Sequence, residues 1–315
     1  MPDMRLRTVT RTQGNNRALK EGTVTAKGFD LAFEEVPVLV DAFRRMVRGL
    51  EFDVCEMAMT TYLCAKAHGK AFTALPIFLV RGFHHGAIVR APDAGIGSPK
   101  DLEGREVGVN RGYTVTTGVW ARGVLQEEYG VDLSKVTWVP SGDEHVAEYR
   151  PPANVVPMRP GGRLPDLVAA GELAAAVGVS PAPPGLAPLI PDAVEAGFAA
   201  LRRRGHYPIN HLVVVRDDLL AAHPDLATDV FEAFSQAKNL YVDRLRRDAI
   251  EEPTPADLMY RRVLEITGAD PLPYGIEPNR AVIEELIEHA VSQRILDRRP
   301  SVESLFAEST LNLTG

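Results

Sequence analysis

Short apolar strands and amphipathic helices alternate along the first part of the chain. Residues 5–10 alternate apolar and polar side chains, which is typical of a strand, and residues 29–35 and 52–57 repeat that signal. Apolar residues recur at helical spacing between Leu39 and Leu50, and a further helix opens at Thr60. Because strands alternate with helices, the pattern predicts a parallel sheet covered on both faces.

The pattern breaks twice, and the two breaks predict the domain organisation. The strands predicted over residues 72–80 and 86–90 are followed by a break at Ala91-Pro92-Asp93. After a second break, an apolar strand that we interpret as the return to the first lobe starts beyond Pro208. We therefore expect one lobe from residues 1–90 and 206–315, and a second, inserted lobe from residues 91–205. A ligand cleft between two such lobes is the default site.

Composition excludes several classes of function. The 315 residues are 45% hydrophobic and 24% charged, which is typical of a globular protein, and the net charge of −7 argues against a nucleic-acid partner. No apolar run is long enough to span a bilayer, and the first residues lack the core of a signal peptide. We therefore expect a cytoplasmic protein with no membrane partner, in which Cys55 and Cys64 are reduced and buried.

The segment 98–130 predicts an anion site. A strand over residues 106–109 leads into a loop that contains Gly112, and a helix starts at Val115 or Thr116. The unpaired N–H groups and the dipole of a helix N-terminus favour negative charge. Hydroxyl groups gather at the same place, so we expect them to bind substrate oxygens; they belong to Tyr113, Thr114, Thr116 and Thr117. The alternative is that Thr114 or Thr116 only caps the helix.

Several segments resemble the 4,5-dihydroxyphthalate decarboxylase family. Residues 51–57 read EFDVCEM and are followed by Thr-Thr-Tyr, which is similar to the family's EFDVAEMSLSSY. Residues 81–85 (RGFHH), 208–211 (PINH) and 273–275 (PYG) resemble further family segments, and the likeness extends over almost the whole chain. The resemblance implies an α/β, two-lobe fold of the type 2 periplasmic-binding-protein kind. It also implies a carboxy-lyase that acts on a hydroxylated aromatic or heteroaromatic acid.

This sequence departs from the family at two places that concern the substrate. The family's Tyr-Asp-Arg-Thr is Gln13-Gly14-Asn15-Asn16 here, and its arginine after a second-lobe strand is replaced by Val179-Ser180-Pro181. Arginine is the usual bidentate partner of a carboxylate. We therefore expect 4,5-dihydroxyphthalate itself to be a poor ligand, and an acid with fewer or differently arranged carboxylates to bind better.

Decarboxylation of an aromatic acid needs a proton donor at the ring carbon, and three residues are candidates for this chemistry. His211 follows Asn210 at the start of the return strand and is the first choice as general acid; the alternative is a hydrogen-bonded core histidine. His85 matches a family histidine, and its neighbour His84 should point the opposite way on an extended segment. Glu56 could orient a histidine, or it could accept backbone N–H groups as a structural residue.

Substrate contacts and cofactors complete the expectations. Arg81 and Arg17 are candidate carboxylate clamps, and Thr60 and Thr61 stand at a helix start where they could bind substrate oxygens. No cofactor is expected. A divalent metal held by Glu56 with His85 and His211 is an alternative, although no HxxxH or HxH spacing supports it.

Two other classes of function stay open at this stage. One is a non-catalytic solute-binding protein for a small aromatic acid, and the other is a different lyase on the same fold, similar to the enzymes of the menaquinone futalosine route. The expected partner is in each case a small aromatic carboxylic acid, and a homo-oligomer is possible.

Overall fold

The computed structural model describes residues 4–315 and divides into two compact units. Unit 1 contains the chain up to Arg81 together with Ile209–Glu284 and Pro300–Gly315. Unit 2 contains Gly82–Pro208 and Glu285–Arg299. The first three residues of the predicted first lobe lie outside the described range.

The compact units differ from the predicted lobes at three segments. Residues 82–90, 206–208 and 285–299 belong to unit 2, whereas the sequence placed them in the first lobe. The last of these is held by side chains: the Gln293 amide accepts a hydrogen bond from Arg122 and donates one to the Val119 carbonyl. A helical pattern reveals that a segment is amphipathic, but it does not reveal which core the apolar face joins.

Unit 1 shows the expected alternation of strands and helices, with boundaries within a few residues of those predicted. Its elements are β1 Met4–Val9, α1 Arg17–Lys20, β2 Phe29–Phe33, α2 Leu39–Gly49, β3 Val54–Ala58, α3 Met59–Ala67 and β4 Phe72–Arg81, and later β10 Ile209–Arg216, α7 Asp217–Ala222, α8 Leu226–Arg246 and α9 Pro255–Thr267. The five strands form one sheet with the order β2-β1-β3-β10-β4.

The first three strands of unit 1 are parallel, as their alternation with helices predicted, and the return strand makes the sheet mixed. β1 runs parallel to β2 and β3, but β10 lies between β3 and β4 and runs antiparallel to both. The reason is the point of return: Ile209, the first residue of β10, pairs with Arg81, the last residue of β4. A strand that re-enters at the carboxyl end of its neighbour must run back in the opposite direction.

Unit 2 is built on a second five-stranded sheet. Its elements are β5 Ile88–Arg90, β6 Glu106–Val109, α4 Thr116–Tyr129, β7 Thr137–Pro140, α5 Leu164–Ala169, β8 Ala175–Val177, β9 Ala187–Pro188 and α6 Ala193–Arg204, and the chain later adds α10 Arg280–Ser292, of which residues from Glu285 onward lie in this unit. The strand order is β7-β6-β8-β5-β9, and β5 is antiparallel to β8 and β9. The proline-rich segment at residues 180–191 contributes only the two-residue strand β9.

Helix α4 begins at Thr116, one of the two predicted positions, and ends at Tyr129, with Gly130 as the C-cap residue. Gly130 adopts φ 66°, a left-handed conformation that glycine enters without the Cβ penalty of other residues. Val119, Ala121 and Leu125 are buried on this helix, as is the charged Arg122. No helix in residues 4–315 has the length and apolar character to cross a membrane. Cys55 and Cys64 are free and buried, as expected.

Candidate functional site

A buried carboxylate and a partly exposed histidine form a hydrogen-bonded pair in unit 1. His211 on β10 stands opposite Ala58 on β3, so Glu56 is its diagonal neighbour on the same face of the sheet. The His211 Nδ1 atom lies 2.6 Å from Glu56 Oε1. The Glu56 side chain is fully buried, whereas the imidazole keeps 18% of its surface exposed. The pair therefore has one end in the protein and one end that a ligand can reach.

The surroundings of the pair fix its orientation. The backbone N–H of Arg11 donates to the other Glu56 oxygen at 2.8 Å, and the Phe43 ring meets the imidazole edge-on at 5.2 Å between centroids. An ionised carboxylate can only accept hydrogen bonds, so toward ionised Glu56 the Nδ1 atom of His211 is the donor. Nε2 has no hydrogen-bond partner among residues 4–315 and is the atom left for chemistry.

The loop after β1 supports the Arg11 amide, and it contains residues that the sequence did not select as functional. The Asn16 side chain accepts from the Gln13 N–H at 2.8 Å and donates to the Arg11 carbonyl at 2.8 Å. Asn15 donates to the Leu79 carbonyl on β4 at 2.9 Å. The turn residues at 13–16 were recognisable in the sequence, but their side-chain partners were not.

The other predicted residues of unit 1 lie in different environments. Arg81 is buried, and its Nη2 atom donates to the Pro273 carbonyl at 3.1 Å and to the Asn279 side chain. Thr60 and Thr61 are fully buried in the first turn of α3. Arg17 is exposed at the start of α1, with Glu21 at 3.6 Å. The clamp roles of the two arginines stay predictions, although both Nη2 hydrogens of Arg81 already have partners in the interior.

His85 lies in unit 2, where its Nε2 atom is 3.1 Å from Glu128 Oε1. His84 and His85 do not alternate across an extended strand, so that prediction is wrong: a 3₁₀ turn starts at His85 and both rings are buried. Both rings line a small cavity of about 10 Å³, room for roughly one water molecule. The local helical turn, rather than an extended backbone, brings the adjacent side chains to one cavity.

A histidine and two glutamates beside this cavity are arranged like metal ligands, but an arginine already binds the carboxylates. One ligand atom each from Glu127, Glu285 and His289 lies within 4.8 Å of the others. Arg204 Nη1 donates to both glutamates at 2.9 Å, which supplies a cation at that place. Burial, with the charges of Arg204 and Arg122, lowers the pKa of His289 to about 4. The alternative metal set of Glu56, His85 and His211 divides between the units.

The predicted anion site before α4 already holds a carboxylate of the chain. Glu144 accepts hydrogen bonds from the N–H groups of Tyr113 and Thr114 and, at 2.6 Å, from the Thr114 hydroxyl. The N-cap residue is Val115, which offers no side-chain cap, so the alternative that Thr114 or Thr116 is the N-cap is wrong. Glu144 is distant in sequence from the loop, and no local pattern indicates the pairing.

Two more of the predicted hydroxyl residues lie in the first turn of α4. Thr116 is buried and Thr117 is half-buried. Their roles toward a substrate stay predictions. The structure thus brings Glu56 and His211 together in unit 1, and it brings Tyr113 and Thr114 to Glu144 in unit 2.

Comparison with known proteins identifies the family. No family model matches the chain. A 4,5-dihydroxyphthalate decarboxylase from Comamonas testosteroni is 30% identical to this chain over 317 aligned positions, gaps included. The alignment covers 94% of each chain. The chain belongs to the 4,5-dihydroxyphthalate decarboxylase family. A second member of that name, from Pseudomonas putida, is 34% identical over 175 residues, 51% of this chain and 65% of the relative. Membership confirms the expected carboxy-lyase class.

Solved structures confirm the expected fold of this decarboxylase family member. The desulfurization enzyme DSZB superposes with a TM-score of 0.54 at 16% identity over 98% of both chains. The periplasmic aliphatic sulphonate binding protein SsuA from Escherichia coli superposes with a TM-score of 0.53 at 10% identity, covering 98% of this chain and 99% of SsuA. Identities this low establish the α/β periplasmic-binding-protein-like fold alone.

Proposed function

We propose that this protein decarboxylates a small hydroxylated aromatic acid and that His211 is the general acid. The Glu56–His211 hydrogen bond is the observation that carries the proposal, because it pairs a fixed carboxylate with an accessible imidazole. The names of the family members support the reaction class. No cofactor is part of the proposal. The expected cytoplasmic location and the oligomeric state stay predictions.

The proposed reaction runs through ring protonation. The Nε2–H of the His211 imidazolium gives its proton to the ring carbon that bears the carboxylate. The bond from that carbon to the carboxyl group then breaks, its electron pair returns to the ring, and CO₂ leaves. An ortho or para hydroxyl stabilises the cationic intermediate. The imidazole then takes a proton from solvent. Each turnover therefore consumes one proton, and a hydrogen atom replaces the carboxylate group on the ring.

Glu56 has a positioning role in this scheme. A carboxylate held on Nδ1 keeps the imidazole in one orientation, as the carboxylate does in other histidine pairs. The Arg11 amide contact keeps Glu56 itself in place. The acid group is therefore aligned before the substrate arrives, and no reorganisation is needed in the transition state.

The substitution His211→Asn tests the proposal. Asparagine keeps polarity and similar size but has no titrating proton, so we expect turnover to fall by roughly 10²–10⁴-fold while binding of the acid changes little. A panel of hydroxylated aromatic acids should be scored for CO₂ release and for thermal shift. The exposed His223, also in unit 1, provides the control His223→Asn, which should keep full turnover.

The same experiment separates an enzyme from a binding protein. Thermal stabilisation by an acid that is recovered unchanged would indicate a solute-binding protein. Unchanged CO₂ release by His211→Asn would remove this residue from the mechanism.

A further inference from the structure

The loop at residues 11–16 follows β1 and is attached to the Glu56–His211 pair within unit 1. The Arg11 N–H donates to Glu56 at 2.8 Å, and Glu56 in turn holds the His211 ring. Close packing fixes the loop at a second point, since a Cβ at Gly14 would overlap a tyrosine ring of α8. The backbone of this loop is thus fixed next to the residue that we propose as general acid.

One cation of this segment has no partner in the protein. The Arg11 guanidinium is exposed and makes no hydrogen bond or ion pair with the described residues. The cations that follow it each have a carboxylate: Lys20 lies 2.6 Å from Glu35, and Arg17 lies 3.6 Å from Glu21. A guanidinium suits a carboxylate because two of its N–H groups can donate in parallel. Arg11 is therefore the cation of residues 11–20 that is available to an acid.

The Asn15 side chain offers an acceptor that the protein leaves unused. Its amide nitrogen donates to the Leu79 carbonyl at 2.9 Å, which fixes the orientation of the amide because a carbonyl can only accept. Its oxygen is buried and has no hydrogen-bond partner among residues 4–315. Leu79 precedes Val80, the cross-strand partner of His211, so the Asn15 side chain is anchored beside the histidine. A buried acceptor without a donor is destabilising, and a ligand that supplies the donor is favoured.

The spare polar atoms of the loop suit a hydroxyl group better than a second carboxylate. Gln13 Nε2 is a buried donor without a partner among the described residues, two positions before Asn15. A hydroxyl group both donates and accepts, whereas a carboxylate only accepts and would oppose the Asn15 oxygen. The proposed reaction also needs a ring hydroxyl, since that group stabilises the cationic intermediate.

We propose that this loop recognises the substrate of the Glu56–His211 pair, with Arg11 pairing with the carboxylate and Asn15 accepting a hydrogen bond from a ring hydroxyl. The inference rests on the proposed function, which supplies the acid as substrate, and it adds the residues that select this acid. Because the carboxylate loses its charge as CO₂ forms, the Arg11 pairing acts on the bound acid and not on the transition state.

The test measures binding by calorimetry with three probes on the His211→Asn background, in which turnover does not consume the acid. The probes are 3,4-dihydroxybenzoate, the uncharged 3,4-dihydroxybenzamide, and benzoate, which lacks the hydroxyl groups. Arg11→Gln should weaken binding of the two acids by roughly 10–100-fold and leave the benzamide unchanged. Asn15→Leu should weaken binding of the two dihydroxy probes by roughly 5–30-fold and leave benzoate unchanged.

Two further variants separate recognition from structure. Arg5→Gln is the matched control for charge, because Arg5 lies at the other end of β1 and pairs with Asp30 at 3.5 Å. It should leave all three affinities unchanged. Asn15→Asp loses the donor to Leu79 but keeps an acceptor oxygen. It should therefore keep the preference for dihydroxybenzoate over benzoate that Asn15→Leu loses. Melting temperatures check that each variant folds, and the exposed Arg11 provides a variant that does not depend on the Leu79 contact.

Kinetics provide a second readout with an unsubstituted His211. For an acid that releases CO₂, Arg11→Gln should raise KM and should not lower kcat, whereas His211→Asn lowers kcat. A purely structural role of the loop would instead lower kcat in the Arg11 variant.

Equal losses for all three probes in Arg11→Gln or in Asn15→Leu would overturn the inference, as would affinities that neither variant changes. Loss of acid binding in Arg17→Gln in place of Arg11→Gln would overturn it too, and so would absence of binding by every probe. Binding that depends on this loop without CO₂ release contradicts only the proposed function. His211-dependent CO₂ release with binding that neither variant changes contradicts only the role of the loop.

Discussion

Each oxygen of the Glu56 carboxylate makes its own hydrogen bond. The Arg11 amide donates to Oε2 and the His211 ring lies at Oε1, and the Glu56 side chain itself is fully buried. Glutamine has the same shape but only one acceptor oxygen, and its amide group is itself a donor. A glutamine at this position must leave one of the two N–H groups without an acceptor.

We therefore expect Glu56→Gln to reduce both stability and turnover. The free energy of unfolding should fall by about 1–3 kcal/mol, the cost of losing one hydrogen bond to a buried charged group. Turnover should fall by roughly 10²–10⁴-fold, because the imidazole loses its fixed orientation. Urea denaturation and CO₂ release measure the two effects. Glu34→Gln, at a half-buried glutamate that pairs with Arg7, is the control and should keep full turnover and lose at most about 1 kcal/mol.

His289 predicts a pH dependence of stability. Its pKa is lowered to about 4 by burial and by the neighbouring arginine charges, so the folded protein keeps it neutral while the unfolded chain protonates near pH 6.5. The unfolded state binds more protons as the pH falls from 6.5 to 4, so this residue makes stability decrease toward acid. The slope is at most about 1.4 kcal/mol per pH unit.

Replacement of this histidine should remove that contribution. His289→Gln should show a flatter stability profile than the wild type between pH 6.5 and pH 4, measured by urea denaturation at each pH. His223→Gln, at an exposed histidine, should keep the wild-type slope. An identical slope in His289→Gln and the wild type would show that another group controls acid stability.

The sequence could predict which residues are candidates for the chemistry of the site, but not which of them contact one another. Glu56 and His211 stood out because a carboxylate at a strand end and a histidine at a return strand are chemically informative. Their hydrogen bond depends on the pairing of β3 with β10, which brings together residues far apart in the chain. For the same reason the sequence did not indicate that Glu128 contacts His85 or that Glu144 contacts Thr114, because each pair joins residues far apart in the chain.

At the scale of elements, α4 packs against α10 through the smallest possible residue. A Cβ at Gly123 would lie 2.4–2.7 Å from the buried His289 ring, which is too close for the helices to keep their separation. The sequence predicted where α4 starts, but not this contact. The glycine permits the approach that also brings Gln293 to Arg122.

Gly123→Ala should accordingly destabilise the protein by about 1–3 kcal/mol through overpacking. This loss outweighs the gain in helix propensity of about 1 kcal/mol that alanine brings. Thermal or urea unfolding measures the change. Gln126→Ala, at an exposed position of the same helix, is the control and should stay within about 0.5 kcal/mol of the wild type. A stabilised Gly123→Ala would contradict the close approach.

At the scale of the whole molecule, the last residues of the chain complete unit 1. Phe306 is buried and meets the Phe78 ring edge-on, and the Ala307 N–H donates to the Ala74 carbonyl on β4. The Tyr274 N–H donates to the Gly315 carbonyl at 2.8 Å. No periodic pattern in the sequence indicates these contacts, because Phe306 is the single aromatic residue of the segment.

Deletion of residues 300–315 should therefore reduce the free energy of unfolding by more than about 3 kcal/mol, since one buried aromatic side chain alone contributes that much. Phe306→Ala in the full-length chain should reproduce a large share of the loss. The exposed Thr23 offers a neutral comparison as Thr23→Ala. Urea denaturation of the three variants checks the expectation, and a truncated chain as stable as the wild type would contradict it.

The placement of β10 has a consequence for the order in which the protein is made. β10 lies between β3 and β4, yet all of residues 82–208 precede it in the chain. Synthesis proceeds at about 5–20 residues per second, so residues 82–208 take on the order of 10 s to be made. During that time the facing edges of β3 and β4 have no strand between them. Both edges carry fully apolar stretches, Val54-Cys55 and Leu75 among them. Each nascent molecule thus passes through an interval in which it needs shielding from its neighbours on the same polysome.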